Sequence, residues 1–120
     1  MNKTQYLWLL TLIPILLGIL YFSGINSQDQ ISLINKSSES IDLVRVEVND
    51  YIFEWEKVQP SLKYSRRFSP TGDGSFKVTV IQNSTDILSQ ADSLGYVTKG
   101  AAQNHTLTIQ PDYLILYDLE

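Results

Sequence analysis

A run of uncharged, mostly apolar residues covers positions 6–22, and no other part of the chain resembles it. Thr11 is its one small polar side chain, and a threonine hydroxyl can bond back to its own helix. A helix on the surface of a soluble domain would show a polar face, which this run lacks. Crossing a bilayer core takes about 20 mostly apolar residues, and residues 23–25 extend the run without adding charge. The run therefore predicts one transmembrane helix over residues 6–25, which takes no part in a soluble core.

A cleaved signal peptide is the alternative interpretation of this run. Signal peptides usually have an apolar core of about 7–15 residues followed by a small-residue cleavage site. Here the run is longer, and Ile25 would occupy the third position before a cut after Ser27. The chain has no cysteine, which excludes a lipoprotein signal. A retained anchor is therefore the prediction.

The charges beside the run predict its orientation. Lys3 and the terminal amine precede it, and Asp29 is the first charge after it. Since positive charge favours the cytoplasmic side, residues 1–5 are expected inside the cell. Residues 26–30 are then a juxtamembrane linker and residues 31–120 an exported domain. In a bacterium this is a single-pass protein of the inner (cytoplasmic) membrane, with its domain in the periplasm or outside the cell.

The composition of the exported part limits its partners and its origin. All 13 acidic residues lie after the run, together with 8 of the 9 basic ones, a net charge of −5. Nucleic acid is therefore not expected as a partner, because its binding needs a positive surface. Small exported eukaryotic domains usually carry disulfides. The absence of cysteine fits a bacterial envelope domain that relies on its core alone.

Short alternations of apolar and polar residues, separated by turn residues, fill the rest of the chain and predict seven or eight strands. Residues 87–93 are the least regular segment and fit a short strand or a loop. The strongest turn signal is Ser-Pro-Thr-Gly-Asp-Gly at 69–74, which predicts that residues 62–82 form a hairpin. The other expected strands cover residues 31–34, 41–49, 51–58, 94–98, 106–109 and 113–119.

These strands predict an all-β domain, because no helical period occurs after the apolar run. At this size we expect a small antiparallel β-sandwich of the immunoglobulin-like architecture, without the Cys…Trp…Cys core of antibody domains. Val46, Phe76 and Val78 stand mid-strand on the apolar side of their alternations. They are therefore the predicted core.

Three segments resemble small bacterial, export-targeted β-sandwich domains of uncharacterised function that carry an N-terminal anchor or lipoprotein signal. They are Gly-Ser-Phe-Lys-Val-Thr-Val at 74–80, Leu-Gly-Tyr-Val-Thr-Lys-Gly at 94–100 and Leu-Thr-Ile at 107–109. The resemblance covers roughly residues 31–112, and its specific part is Gly-Tyr-Val-Thr-x-Gly. It implies a fold and a compartment but no activity.

The residue types of that motif also predict local structure. Gly95 would allow a bulge or a close backbone approach, and Gly100 a positive φ at a turn. Tyr96 is expected to bury its ring and to bond a backbone group through its hydroxyl.

No catalytic residue, cofactor or metal site is predicted. A zinc, copper or haem site needs several convergent ligands, whereas the chain has one histidine, no cysteine and only the initiator methionine. His105 stands just before a predicted strand whose outward residues are polar. It is therefore expected at the surface, where its removal would change stability by no more than about 0.5 kcal/mol.

The expected function is that of a non-catalytic, membrane-tethered envelope protein whose domain binds another envelope protein or serves as an accessory. The alternative is a module that binds a small ligand or carbohydrate on exposed aromatics. Possible contacts for either are Tyr51, Trp55, Tyr64, Arg66 and Arg67. The exposure of Trp55 separates the two, since a tryptophan in the core offers no stacking platform.

Overall fold

The computed structural model describes residues 28–120, which form eight β-strands. In chain order the strands are β1 (Asp29–Asn35), β2 (Ile41–Val48), β3 (Tyr51–Val58), β4 (Lys63–Phe68), β5 (Gly74–Gln82), β6 (Asp86–Val97), β7 (Asn104–Ile109) and β8 (Ile115–Leu119). The predicted anchor, residues 6–25, and the predicted cytoplasmic residues 1–5 lie outside the described residues. Within residues 28–120, no helix has the length and hydropathy of a membrane span.

The strands form two four-stranded sheets, packed as a β-sandwich. Sheet I has the order β4-β1-β7-β8, and sheet II has the order β3-β2-β5-β6. All neighbours are antiparallel except β1 and β7, which are parallel. The all-β sandwich is therefore confirmed, whereas the expectation of wholly antiparallel pairing is wrong at β1 and β7. Parallel neighbours need a long connection, and here strands β2 to β6 supply it.

The core lies between the sheets and is built by period-two alternation. Val44, Val46 and Val48 face inward from β2, with Arg45 and Glu47 on the other face. The predicted core residues Val46, Phe76 and Val78 all have no exposed surface, which confirms their assignment. Sheet I contributes a complementary apolar set: Ile31, Leu33, Phe68, Leu107 and Ile109.

The predicted hairpin over residues 62–82 is wrong, because β4 pairs with β1 in sheet I while β5 pairs with β2 and β6 in sheet II. Residues 69–73 therefore cross from one sheet to the other. Pro70 is buried, and the Asn49 side chain accepts from the Thr71 N–H and donates to the Gly72 carbonyl. The turn residues were recognised correctly, but turn chemistry does not specify which sheet the next strand joins.

Several strand boundaries differ from the prediction. β1 begins at Asp29, inside the predicted linker, and β8 begins at Ile115 after a positive φ at Tyr113. Residues 86–97 form one long strand in place of two short segments. Positive φ values at Ser93 and Gly95 accompany the register shifts between β5 and β6. Such bulges bend the strand and hide its regular alternation.

Truncation of Phe76 is the first test of this packing. Because its ring is fully buried between the sheets, Phe76→Ala should lower the free energy of unfolding by about 3–5 kcal/mol. Ile52→Ala is the matched control. That side chain is 62% exposed, so its truncation should change the free energy of unfolding by no more than about 0.5 kcal/mol. Urea unfolding of both variants measures the difference. Equal midpoints would contradict the assignment of the inner faces.

Candidate functional site

Three polar side chains meet at the end of the sandwich where β1 begins. His105 Nε2 lies 2.8 Å from Asp29 Oδ2, and His105 Nδ1 lies 2.7 Å from the Tyr117 hydroxyl oxygen. The second Asp29 oxygen accepts the backbone N–H of Gln103 at 3.1 Å. Asp29 and His105 have no exposed surface. This network, Asp29–His105–Tyr117, is the most concentrated polar chemistry in the described part of the chain.

Strand register places these side chains together. His105 alternates with Leu107 and Ile109 on the inward face of β7. It pairs with Ile31 of β1 on one side and with Leu119 of β8 on the other. Across the sandwich the ring meets Phe76 of β5, with centroids 5.0 Å apart and edge to face. The imidazole therefore belongs to the core, and its two nitrogens point along the sheet to β1 and β8.

The hydrogen-bond partners fix where the protons lie. Nε2 faces a carboxylate oxygen, which accepts, so this nitrogen carries a proton and donates it to Asp29. Burial raises the pKa of the Tyr117 hydroxyl, a neighbouring backbone group of Tyr96 lowers it, and the nearby Asp29 and Asp118 carboxylates raise it further. The net direction is upward from 10.0, so the hydroxyl keeps its proton near neutral pH and can donate it to Nδ1.

An Asp–His–hydroxyl chain has the connectivity of a nucleophilic triad, but its surroundings decide what it does here. Phe68, Phe76 and Tyr117 all pack within 6.3 Å of the imidazole centroid. Since the ring has no exposed surface, a substrate would have to open the sandwich to reach it. The arrangement suits a structural role, which is to satisfy a buried carboxylate and to join β1, β7 and β8.

The expectation that His105 faces water is wrong. The predicted strand begins at Thr106, two residues too late, which leaves His105 outside the strand and facing water or the turn. The strand in fact begins at Asn104, and the period of two then carries His105 inward with Leu107 and Ile109. That alternation was the available signal. Asp29 gave no such signal, because its partner is 76 positions away in the sequence.

The predicted contact residues of β3 are largely committed to the core. Trp55 is only 6% exposed, so its ring is not an exposed stacking platform. Tyr51 is half-buried, stacks on Phe53 with centroids 5.6 Å apart and donates its hydroxyl to the Ser69 carbonyl. Both side chains help to close the sandwich on the side where β3 faces β4.

The predicted contact residues of β4 divide between two faces. Tyr64 pairs with Leu33 on the inward face and accepts the Gln59 N–H through its hydroxyl. Arg66 pairs with the buried Ile31 yet is exposed, so it lies at the open side of the sandwich. Arg67 projects from the outer face of sheet I. Tyr51, Trp55, Tyr64 and Arg66 therefore share one side, and Arg67 does not.

The Gly-Tyr-Val-Thr-x-Gly segment lies beside the network. A Cβ on Gly95 would overlap the Tyr117 ring, and φ is +62° there, so the expected close approach is confirmed. Gly100 has the expected positive φ. Tyr96, however, is 58% exposed and donates its hydroxyl to Asp73, so the prediction of a buried ring is wrong. The bulge at Gly95 turns that side chain outward.

Other described features offer little for a ligand. A shallow cavity of about 350 Å³ lies on the outer face of sheet II, lined by Asp42, Leu43, Glu56, Lys57, Ile81 and Ser84. None of these is aromatic, so the cavity offers no ring for a sugar to stack on. Among residues 28–120, no three His, Asp or Glu side chains gather in a way that could hold a metal ion.

Comparison with known proteins supports the fold alone. No family model and no curated protein matches the chain. One solved structure that is similar to it is titled "NMR structure of the protein from Eubacterium rectale". The two share 13% sequence identity with a TM-score of 0.53, over 78% of this chain and 88% of the other. At this identity the likeness concerns the architecture of the sandwich.

Breaking the buried network should destabilise the domain strongly. His105→Ala leaves the buried Asp29 carboxylate without its imidazole partner, for which a loss of about 3–5 kcal/mol in the free energy of unfolding is typical. Asp29→Asn removes the charged acceptor and strands no charge, so its expected loss is smaller, about 1–3 kcal/mol. Asn104→Ala is the matched control, because that exposed side chain precedes His105 on the same strand. Urea unfolding compares the three. A His105→Ala protein as stable as the control would show that the network contributes nothing.

The raised pKa of Tyr117 predicts a loss of stability at high pH. The folded state holds this proton more tightly than the unfolded chain, whose tyrosines ionise near pH 10.0. The protonated Tyr117 hydroxyl therefore makes its full contribution to the free energy of unfolding below pH 10. That contribution is lost as the pH rises through the pKa of Tyr117 in the folded state. Urea unfolding between about pH 9 and pH 11 should show a smaller decline in Tyr117→Phe than in the parent. Parallel curves would rule out this residue as the source.

Proposed function

We propose that the chain is a non-catalytic, membrane-tethered protein of the bacterial envelope, whose sandwich serves as an interaction or accessory domain. The observation that carries this proposal is how closely the rigid domain follows the apolar run. Only residues 23–28 separate Phe22 from β1, and Asp29 is already fixed in the core. A helix over residues 6–25 would hold such a domain close to the bilayer surface.

The proposal also covers the group of proteins, the type of sandwich and the membrane topology. We place the chain with the anchored bacterial domains that its Gly95–Gly100 segment resembles, and its sandwich with the immunoglobulin-like architecture. A retained anchor, an inside N-terminus and an exported domain with net charge −5 complete it. The buried Trp55 and the inaccessible His105 favour a binding surface over a sugar platform or a reaction site.

A surface for a protein partner is available where β3 faces β4. Tyr51 and Tyr64 are half-buried there, which leaves part of each ring open beside the exposed guanidinium of Arg66. Tyrosine and arginine are enriched in protein interfaces, because they combine apolar area with directed hydrogen bonds. An acidic segment of an envelope protein fits this surface, with Arg67 on the adjoining face.

Labelling of single cysteines tests the tethering and the orientation. The chain has no cysteine, so Asn2→Cys and Ser38→Cys each create a unique thiol. Ser38 is exposed in the loop after β1. A membrane-impermeant maleimide should label Ser38→Cys in intact spheroplasts and Asn2→Cys only after lysis, with both chains in the membrane fraction. Labelling of neither before lysis would contradict export, and a shortened Ser38→Cys chain in the soluble fraction would show cleavage.

A further inference from the structure

We propose that sheet I joins a second copy of this chain edge to edge, with β8 of one copy beside β4 of the next. The two edges of the sheet carry opposite charge. β4 contains Lys63, Arg66 and Arg67 and no acidic residue. β8 and the residue after it contain Asp118 and Glu120, and no lysine or arginine follows Lys99 in the sequence. A second copy is therefore the partner whose charge complements each edge.

The edge strands of sheet I are regular enough to pair. β4 matches β1, and β8 matches β7, without a register shift. The edges of sheet II differ, because β6 is bulged and β3 has a positive φ at Lys57. Both of those strands also carry net negative charge. Bulges and like charges keep edges apart, whereas a regular edge presents a row of unpaired backbone groups.

The basic residues of β4 and the acidic residues at the end of β8 occupy corresponding positions along their strands. On the outer face, Arg67 pairs with Gln30 and Gln30 with Asn104, and the Glu120 N–H donates to the Asn104 carbonyl. Arg67 and Glu120 thus lie at opposite ends of one row across the sheet. Extending the sheet by a translated copy puts Arg67 beside the first copy's Glu120, where opposite charges across strands are favourable.

The neighbouring cross-strand row of sheet I also places opposite charges close together. Ser65 and Asp118 end the neighbouring row, which runs through Ser32 and Thr106. In the translated copy, Lys63 and Arg67 flank Asp118 diagonally. The structure pairs none of these charges elsewhere: within residues 28–120, the one ion pair is Arg45–Glu54, and Asp29 contacts the His105 imidazole.

Exposed leucines add an apolar component to the β8 edge. Leu116 is 50% exposed on the same outer face as Thr108, and Leu114, just before the strand, is 60% exposed. Neither lysine nor proline protects this strand. The positive charges of β4 repel a second β4 strand, whereas they attract the acidic residues of β8. The contact is therefore heterologous and repeats from copy to copy.

Strand direction makes the contact compatible with one membrane. β4 is antiparallel to β1, β1 is parallel to β7, and β7 is antiparallel to β8, so β4 and β8 run in the same direction. A translated copy therefore keeps the end at which β1 begins on the same side. Growth of a row along a bilayer rests on the proposed tethering, but the edge contact itself does not.

Cross-linking of the full-length chain in cells, with a short bismaleimide, tests the contact. Ser65→Cys and Leu116→Cys place one thiol near each edge, on the outer face. Within one copy they are separated by three strand spacings, roughly 14 Å, so the cross-linker chosen is shorter than that. Each single variant should stay monomeric, co-expression of the two should give dimers, and the double variant should give a ladder. Ser38→Cys, which lies in the loop after β1 and in neither edge strand, measures random collisions.

Charge reversal separates a specific contact from crowding. Asp118→Lys with Glu120→Lys should reduce the ladder to the collision level, and adding Lys63→Glu with Arg67→Glu should restore it. Glu39→Lys makes the same type of charge change in an exposed loop and should leave the ladder intact. A monomeric double variant, or equal linking by either single variant alone, would overturn the proposal. Fractionation of the same cells reports on the tethering separately, so failure of one proposal is distinguishable from failure of the other.

Discussion

The hydrogen bond between Asp29 and His105 determines how this small sandwich closes. It joins the first residue of β1 to β7 across the middle of sheet I, and Tyr117 continues the connection to the edge strand β8. A buried carboxylate is costly without partners, and here it has two, the imidazole and the Gln103 N–H. The cost of burying Asp29 is therefore offset only when three strands and the 98–103 loop are all in place. The end of the domain where β1 begins should therefore fold and unfold as one unit.

The opposite end of β1 repeats the arrangement with an uncharged residue. The Asn35 side chain is fully buried and donates to the carbonyls of Glu39 and Val58, while Ser37 donates to its oxygen. β1 therefore carries one buried polar anchor at each end, of which one reaches β7 and the other reaches β3 in the facing sheet. Between the two, Ile31 and Leu33 bury their apolar side chains. The first strand is thereby held at both ends.

The sequence was sufficient for the features that depend on local pattern. The alternations of β2, β3 and β5 predicted which side chains face inward, because one face of each strand is apolar and the other polar. The turn over residues 69–74 was also recognised. What could not be predicted depends on partners distant in the sequence: the parallel pairing of β1 with β7, the change of sheet between β4 and β5, and the burial of Asp29. His105 was missed for a local reason, a strand boundary displaced by two residues, and the charged edges of sheet I emerged only from the strand order.

The protonation and mobility of the single histidine report most directly on the Asp29–His105–Tyr117 network. Nitrogen-15 NMR of the imidazole at neutral pH reads this state without ambiguity, because the chain contains one histidine. The network predicts a fixed ring with a proton on Nε2 that exchanges slowly with water, and an Nδ1 signal shifted by the Tyr117 hydroxyl. Averaged nitrogen shifts and rapid exchange of the ring proton, as in a histidine free in water, would contradict it.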